Sequence, residues 1–99
     1  MNETKAKIQE LFDRIPRRHT AENVKELYSL VDEYEELLIT IEADPVYEKS
    51  VAPLFEILDP VRATIKKSND NKASKKTKDT LFDEASTALK DSMEGALQL

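Results

Sequence analysis

Two neighbouring stretches of this chain carry unbroken ladders of apolar residues, spaced alternately three and four positions apart. The first is Val24, Leu27, Val31, Tyr34, Leu38 and Ile41; the second is Tyr47, Val51, Leu54, Leu58, Val61 and Ile65. That spacing lines each set along one stripe of an α-helix. Only five residues separate Ile41 from Tyr47, so the two helices are expected to reverse direction as an antiparallel hairpin. A single glycine in 99 residues argues against a turn-rich β fold, because hairpins and bulges need residues that accept positive φ.

Two more helices are expected around that hairpin. A short first helix over 3–14 has Asn2 as its N-cap and Ile8, Leu11, Phe12 and Ile15 as its apolar stripe. Pro16 ends it and opens the connector Pro16-Arg17-Arg18-His19. Thr20 caps the second helix, which reaches Ala43, and Tyr28, Leu30 and Leu37 widen its apolar face. Asp44-Pro45 reads as the start of a third helix over 45–67. Pro53 and Pro60 lie inside that span, which predicts a kinked helix or a restart at Asp59-Pro60. Residues 68–76 hold no large apolar side chain and read as a mobile polar loop. A last helix begins at Ser74 or Thr77 and ends at Gly95, with Gly95 as its C′ residue. Its Ala85, Ala88, Ser92 and Ala96 form a strip of small residues that permits close helix approach. The whole predicts one domain, 1–99: an all-α antiparallel bundle of four helices.

Composition narrows the chemistry. With no cysteine, thiolate metal sites, disulfides and cysteine nucleophiles are excluded. The one glycine, near the C-terminal end, excludes a phosphate loop, a nucleophile elbow and a dinucleotide fingerprint. Histidine occurs once, as His19, which reads as an exposed connector residue, and no Glu-x-x-His pair is present for a di-metal site. These features predict a non-enzymatic protein without cofactor or metal. The first sixteen residues do not read as a signal peptide, and no apolar run approaches the roughly 18 residues of a membrane span, so a cytoplasmic location is expected.

Charge is the strongest remaining signal. From position 20 to 48, nine carboxylates face one lysine, a net of −8. From 62 to 78, seven cations face one carboxylate, a net of +6, within a formal net charge of −5. Such a separation suits a partner of opposite charge. The basic stretch holds no aromatic side chain between Lys66 and Lys78. Specific nucleic-acid binding is therefore not expected, and weak contact with a membrane surface is. Candidate partner-binding residues are Tyr28, Tyr34, Glu33 and Glu36 on one surface and Arg17, Arg18, Lys72, Lys75 and Lys76 on the other, tyrosine being favoured at interfaces.

Three functional expectations follow. The first is a small protein-binding regulator or adaptor acting through a charged helical face. The second rests on layout: a short helix, two long ladder helices, a polar loop and a last helix is similar, in length and helix order, to the antiparallel four-helix bundle of bacteriocin-immunity proteins. The third, motivated by the broad apolar face of the second helix, is a self-assembling structural or phage-encoded subunit, and hence a homo-oligomer.

Overall fold

In the computed structural model, residues 2–99 are described, and the chain forms five helices: α1 (Asn2–Asp13), α2 (Ala21–Glu42), α3 (Glu48–Glu56), α4 (Leu58–Ser68) and α5 (Lys75–Leu97). Helices α3 and α4 are two pieces of one broken rod, so the architecture is the all-α four-helix bundle that the ladders predict. All six residues of the first ladder are buried. Of the second, Val51, Leu58, Val61 and Ile65 are buried while Tyr47 and Leu54 pack at the margin. Helix α5 lies most extensively against α4 and closes the core with Phe82, Ala85, Leu89, Met93 and Ala96. Ala85, Ser92 and Ala96 of the small strip are buried, with Ser92 facing α2 and α3. No helix among the described residues is long and apolar enough to cross a membrane.

The helix starts follow side-chain chemistry. Thr20 Oγ1 accepts from the Asn23 N–H at 3.0 Å, and Ser74 Oγ accepts from the Thr77 N–H at 3.2 Å. Each satisfies a backbone donor that the first turn leaves without a helical partner. Helix α1 differs from expectation: Asn2 lies inside it rather than capping it.

Asp44-Pro45 does not start a helix. Asp44 Oδ1 accepts from the Val46 N–H at 3.0 Å, and the Asp44 carbonyl accepts from the Tyr47 N–H at 3.0 Å. The carboxylate thus closes a tight turn with Pro45 at its second position, where a fixed φ fits, and α3 begins three residues later at Glu48. Nor does the third helix restart at Asp59-Pro60. The interruption falls at Ile57, because the ring of Pro60 crowds the Glu56 carbonyl four residues back, so α3 ends at Glu56 and Pro60 takes a place in the first turn of the next helix. The Val61 N–H then bonds the Ile57 carbonyl at 2.9 Å, closing the first turn of α4. Ile57 keeps right-handed backbone angles (φ −81°, ψ −14°), so the apolar stripe continues from Val51 to Leu58 without changing face.

The two prolines are therefore unequal. Pro53 sits exposed inside α3, where an N–H would reach a helical carbonyl, whereas Pro60 sits in the first turn of α4, where none is needed. Pro53→Ala is expected to raise the unfolding free energy by about 1–2 kcal/mol, and Pro60→Ala to lower it by up to about 1 kcal/mol. Denaturant melts of the two variants check this; equal gains would contradict it.

The last helix also runs past its expected end. Gly95 has no positive φ and lies inside α5, which continues to Leu97. A Cβ at Gly95 would sit 3.1 Å from Leu54 Cδ2, so glycine here admits the side chain of α3 rather than stopping a helix. Leu99 is tied to α1: Lys5 Nζ donates to its carbonyl at 2.8 Å. At the other polar connector, Ser68 is fully buried, its Oγ donating to the Ile65 carbonyl at 2.6 Å. The linker proper is residues 69–74, with Lys75 and Lys76 already in the first turn of α5.

Candidate functional site

The expected binding residues divide into three groups. Tyr34 leaves the surface altogether. It is fully buried, and its hydroxyl lies 2.8 Å from Ser92 Oγ, which in turn donates to the Leu54 carbonyl at 3.3 Å. This chain joins α2, α5 and α3 through the core, and burial pushes the Tyr34 hydroxyl up to about 12 despite the opposing bond from Ser92. Tyr28 is half-buried against the same core. The broad apolar face of α2 is thus filled from within the chain. Among the described residues the exposed large apolar side chains are Ile39 on α2 and Val46 in the following turn.

Glu33 and Glu36 stay at the surface and flank a groove of about 370 Å³ between α1 and α2. Leu11 and Leu37 form its floor; Lys7, Glu10 and Arg14 complete its rim. Arg14 is held aside by Glu26 at 2.8 Å and reaches Glu33 only at 3.6 Å. The hydrogen bond from Arg14 to Glu26 is the main reason its pKa is raised. Antiparallel packing of α1 on α2 produces this arrangement: both helices turn an apolar stripe inward and leave charged shoulders along the seam.

Arg62, which belongs in sequence to the basic stretch, is drawn to the acidic helix instead. It donates to Asp32 at 2.8 Å and to Glu35 at 3.1 Å, and lies 3.7 Å from Asp59. These bonds, with Glu35 first, raise its pKa and pin α4 to α2. The acidic patch of α2 therefore narrows to Glu33, Glu36 and their neighbours toward α1.

The remaining cations converge. Arg17 and Arg18, in the α1–α2 connector, share a cleft of about 420 Å³ with Lys75 of α5, together with His19, Thr20, Asp79 and Asp83. Beside it, Lys66, Lys67 and Lys72 border a second, open hollow of about 770 Å³ on the α4–α5 linker. No ion pair joins any of these cations to a carboxylate among the described residues. Asp70 serves the linker itself, its Oδ1 accepting from the Lys72 N–H at 2.9 Å. His19 is not the exposed residue expected. Its ring stands edge-on to Phe82, with centroids 5.7 Å apart, and its Nε2 is enclosed without a hydrogen-bond partner. The Asn23 side chain, donating to the Arg18 carbonyl at 2.8 Å, fixes the connector above it.

Among the described residues, no group of three or more His, Asp or Glu side chains is arranged to hold a metal ion. No family model matches the chain, no curated protein matches it, and no solved structure matches it.

Proposed function

We propose that this protein is a non-enzymatic binding module, a regulator or adaptor that docks another protein in the groove between α1 and α2. The observation that carries this reading is the groove's make-up: an apolar floor of Leu11 and Leu37 beneath the exposed carboxylates Glu10, Glu33 and Glu36, which outnumber the rim cations Lys7 and Arg14, the latter drawn off to Glu26. An apolar anchor on the partner would displace water from the floor, and basic side chains around that anchor would meet the carboxylates. The fitting partner is a basic segment with one or two apolar anchors at helical spacing, the mode in which an amphipathic helix lies in a groove. Long-range attraction to the acidic face would speed encounter more than it strengthens the final complex.

The test is affinity capture from a lysate of the native host after nuclease treatment, with paired charge reversals. The parent chain captures one stoichiometric protein. Glu33→Lys with Glu36→Lys reduces capture about tenfold or more, and the reduction appears mainly in the association rate. Lys72→Glu with Lys75→Glu leaves capture intact. Capture that ignores the first pair would sink this reading. All four positions are exposed, so the variants are expected to melt close to the parent.

A further inference from the structure

The charge separation seen along the sequence becomes, in three dimensions, a separation along the long axis of the molecule. The bundle measures 45 × 21 × 17 Å. In an antiparallel four-helix bundle the first and third connectors lie at the same end. Here they bring Arg17, Arg18, Lys66, Lys67, Lys72, Lys75 and Lys76 to one tip. Asp70, Asp79 and Asp83 are the carboxylates among them, and two further pairs at the same end cancel, Glu22 with Lys78 in the first turns of α2 and α5 and Asp13 with Arg14 at the end of α1, so the tip carries a net of +4. With a chain total of −5, the rest of the molecule is left at −9.

We propose that this tip docks end-on against an anionic phospholipid surface. The occupant follows from the shape of the charge. A flat anionic surface meets every cation of a tip 21 × 17 Å across and leaves the acidic body pointing away. The tip offers no ring for stacking, since the stretch 66–78 has no aromatic residue and His19 is turned inward onto Phe82. The exposed large apolar side chains, Ile39 and Val46, belong to α2 and the turn after it, so the contact is electrostatic and without inserted apolar anchors. Attraction of this kind extends about one Debye length from the lipid surface.

A molecule with its charge arranged this way has a distinctive salt response. At an ionic strength of about 0.15 M the Debye length is about 8 Å, so the lipid surface attracts the tip and most of the body is screened. At about 0.01 M it is about 30 Å, and the acidic body is repelled as strongly as the tip is attracted. At about 1 M it is about 3 Å and both forces are lost. Binding therefore peaks at intermediate salt, where an ordinary basic protein would bind ever more tightly as salt falls.

The experiment is co-sedimentation of the full chain with vesicles of phosphatidylglycerol and phosphatidylcholine in equal parts, against vesicles of phosphatidylcholine alone, across that salt range. The expected result is binding to the anionic vesicles alone, with a maximum between the two extremes. Arg17→Gln, Arg18→Gln and Lys75→Gln together should lower the partition coefficient roughly 100-fold, since each cation near such a surface contributes about fivefold. Lys66→Gln, Lys67→Gln and Lys72→Gln, around the neighbouring hollow, give a second reading that does not depend on the first variant folding. Glu33→Gln with Glu36→Gln should retain binding, which separates this tip from the groove. Equal binding to both vesicle types, affinity that rises steadily as salt falls, or retention of binding by both tip variants would overturn the proposal. So would capture by duplex RNA without capture by vesicles.

Discussion

Leu38→Ala and Leu58→Ala should each lower the unfolding free energy by about 2–5 kcal/mol. Leu38 is fully enclosed on α2, and Leu58 is 1 % exposed at the start of α4. Truncation removes the transfer free energy of the buried methyl groups and leaves a cavity that the surrounding helices close only in part. A domain of this size has about 5–15 kcal/mol of stability in total, so either change takes a large share of it. In a thermal melt the loss corresponds to a fall of about 10 °C or more, because 1 kcal/mol moves the midpoint about 4–8 °C at this length. Leu58 is the sharper case, since it follows the interruption at Ile57 directly and carries the stripe from α3 into α4. Ile39, one residue from Leu38 but 48 % exposed, is the control: Ile39→Ala should change stability by about 0.5 kcal/mol or less. Melts in which Leu38→Ala or Leu58→Ala matched Ile39→Ala would mean that the ladders do not form the core.

The features legible in the sequence were those set by local periodicity and local hydrogen bonding. The ladder residues face the core because the 3.6-residue turn leaves them no other arrangement once two stripes must meet. Thr20 and Ser74 cap their helices because a hydroxyl at that position reaches a backbone donor three residues on, whatever lies nearby. Local rules are ambiguous where one residue has two local uses. Asp44 could cap a helix or close a turn, and the Val46 N–H decided for the turn. Proline marks a break, but the break belongs beside the carbonyl its ring strikes, so Pro60 ends α3 at Glu56 and leaves the interruption at Ile57. At Gly95 the deciding neighbour is Leu54 on another helix, which no local rule supplies.

The candidate surfaces were legible in a different measure. Glu33 and Glu36 fall off the ladder and are exposed, as helical geometry requires. Tyr34 lies in the core rather than at an interface because its place on the ladder outweighs the preference of tyrosine for interfaces. Its hydroxyl is satisfied by Ser92, 58 residues away and itself part of the small strip on α5. Arg62 leaves the lysines that follow it in sequence because Asp32 and Glu35, three residues apart on one helix face, make a bidentate receiver for a guanidinium. The convergence of Arg17 and Arg18 with Lys75 needed no side-chain detail. It follows from the topology, because antiparallel helices put alternate connectors at the same end.

Tyr34→Phe should weaken the protein at neutral pH and strengthen it in alkali. At neutral pH the variant loses the buried bond between Tyr34 and Ser92, at a cost of about 0.5–1.5 kcal/mol, while Ser92 keeps the Leu54 carbonyl as acceptor. Alkali acts through the ionised phenol, which burial disfavours: the Tyr34 hydroxyl has its pKa pushed up to about 12, against about 10 in an unfolded chain. Between those values the folded protein holds a proton that the unfolded chain has released, so stability falls as pH rises. The contribution is fully present below about pH 10 and is lost by about pH 12, a total of about 2–3 kcal/mol. Phenylalanine has no proton to lose, and every other group is common to both proteins and drops out of the difference. The two stability curves should therefore cross near pH 11, the parent being the more stable below it and the variant above it. Urea melts of both proteins at pH 7 and at steps above pH 10 would show the crossing. Parallel curves would mean that Tyr34 is not sealed in the core, and with it would fall the linkage of α2, α5 and α3 through Ser92.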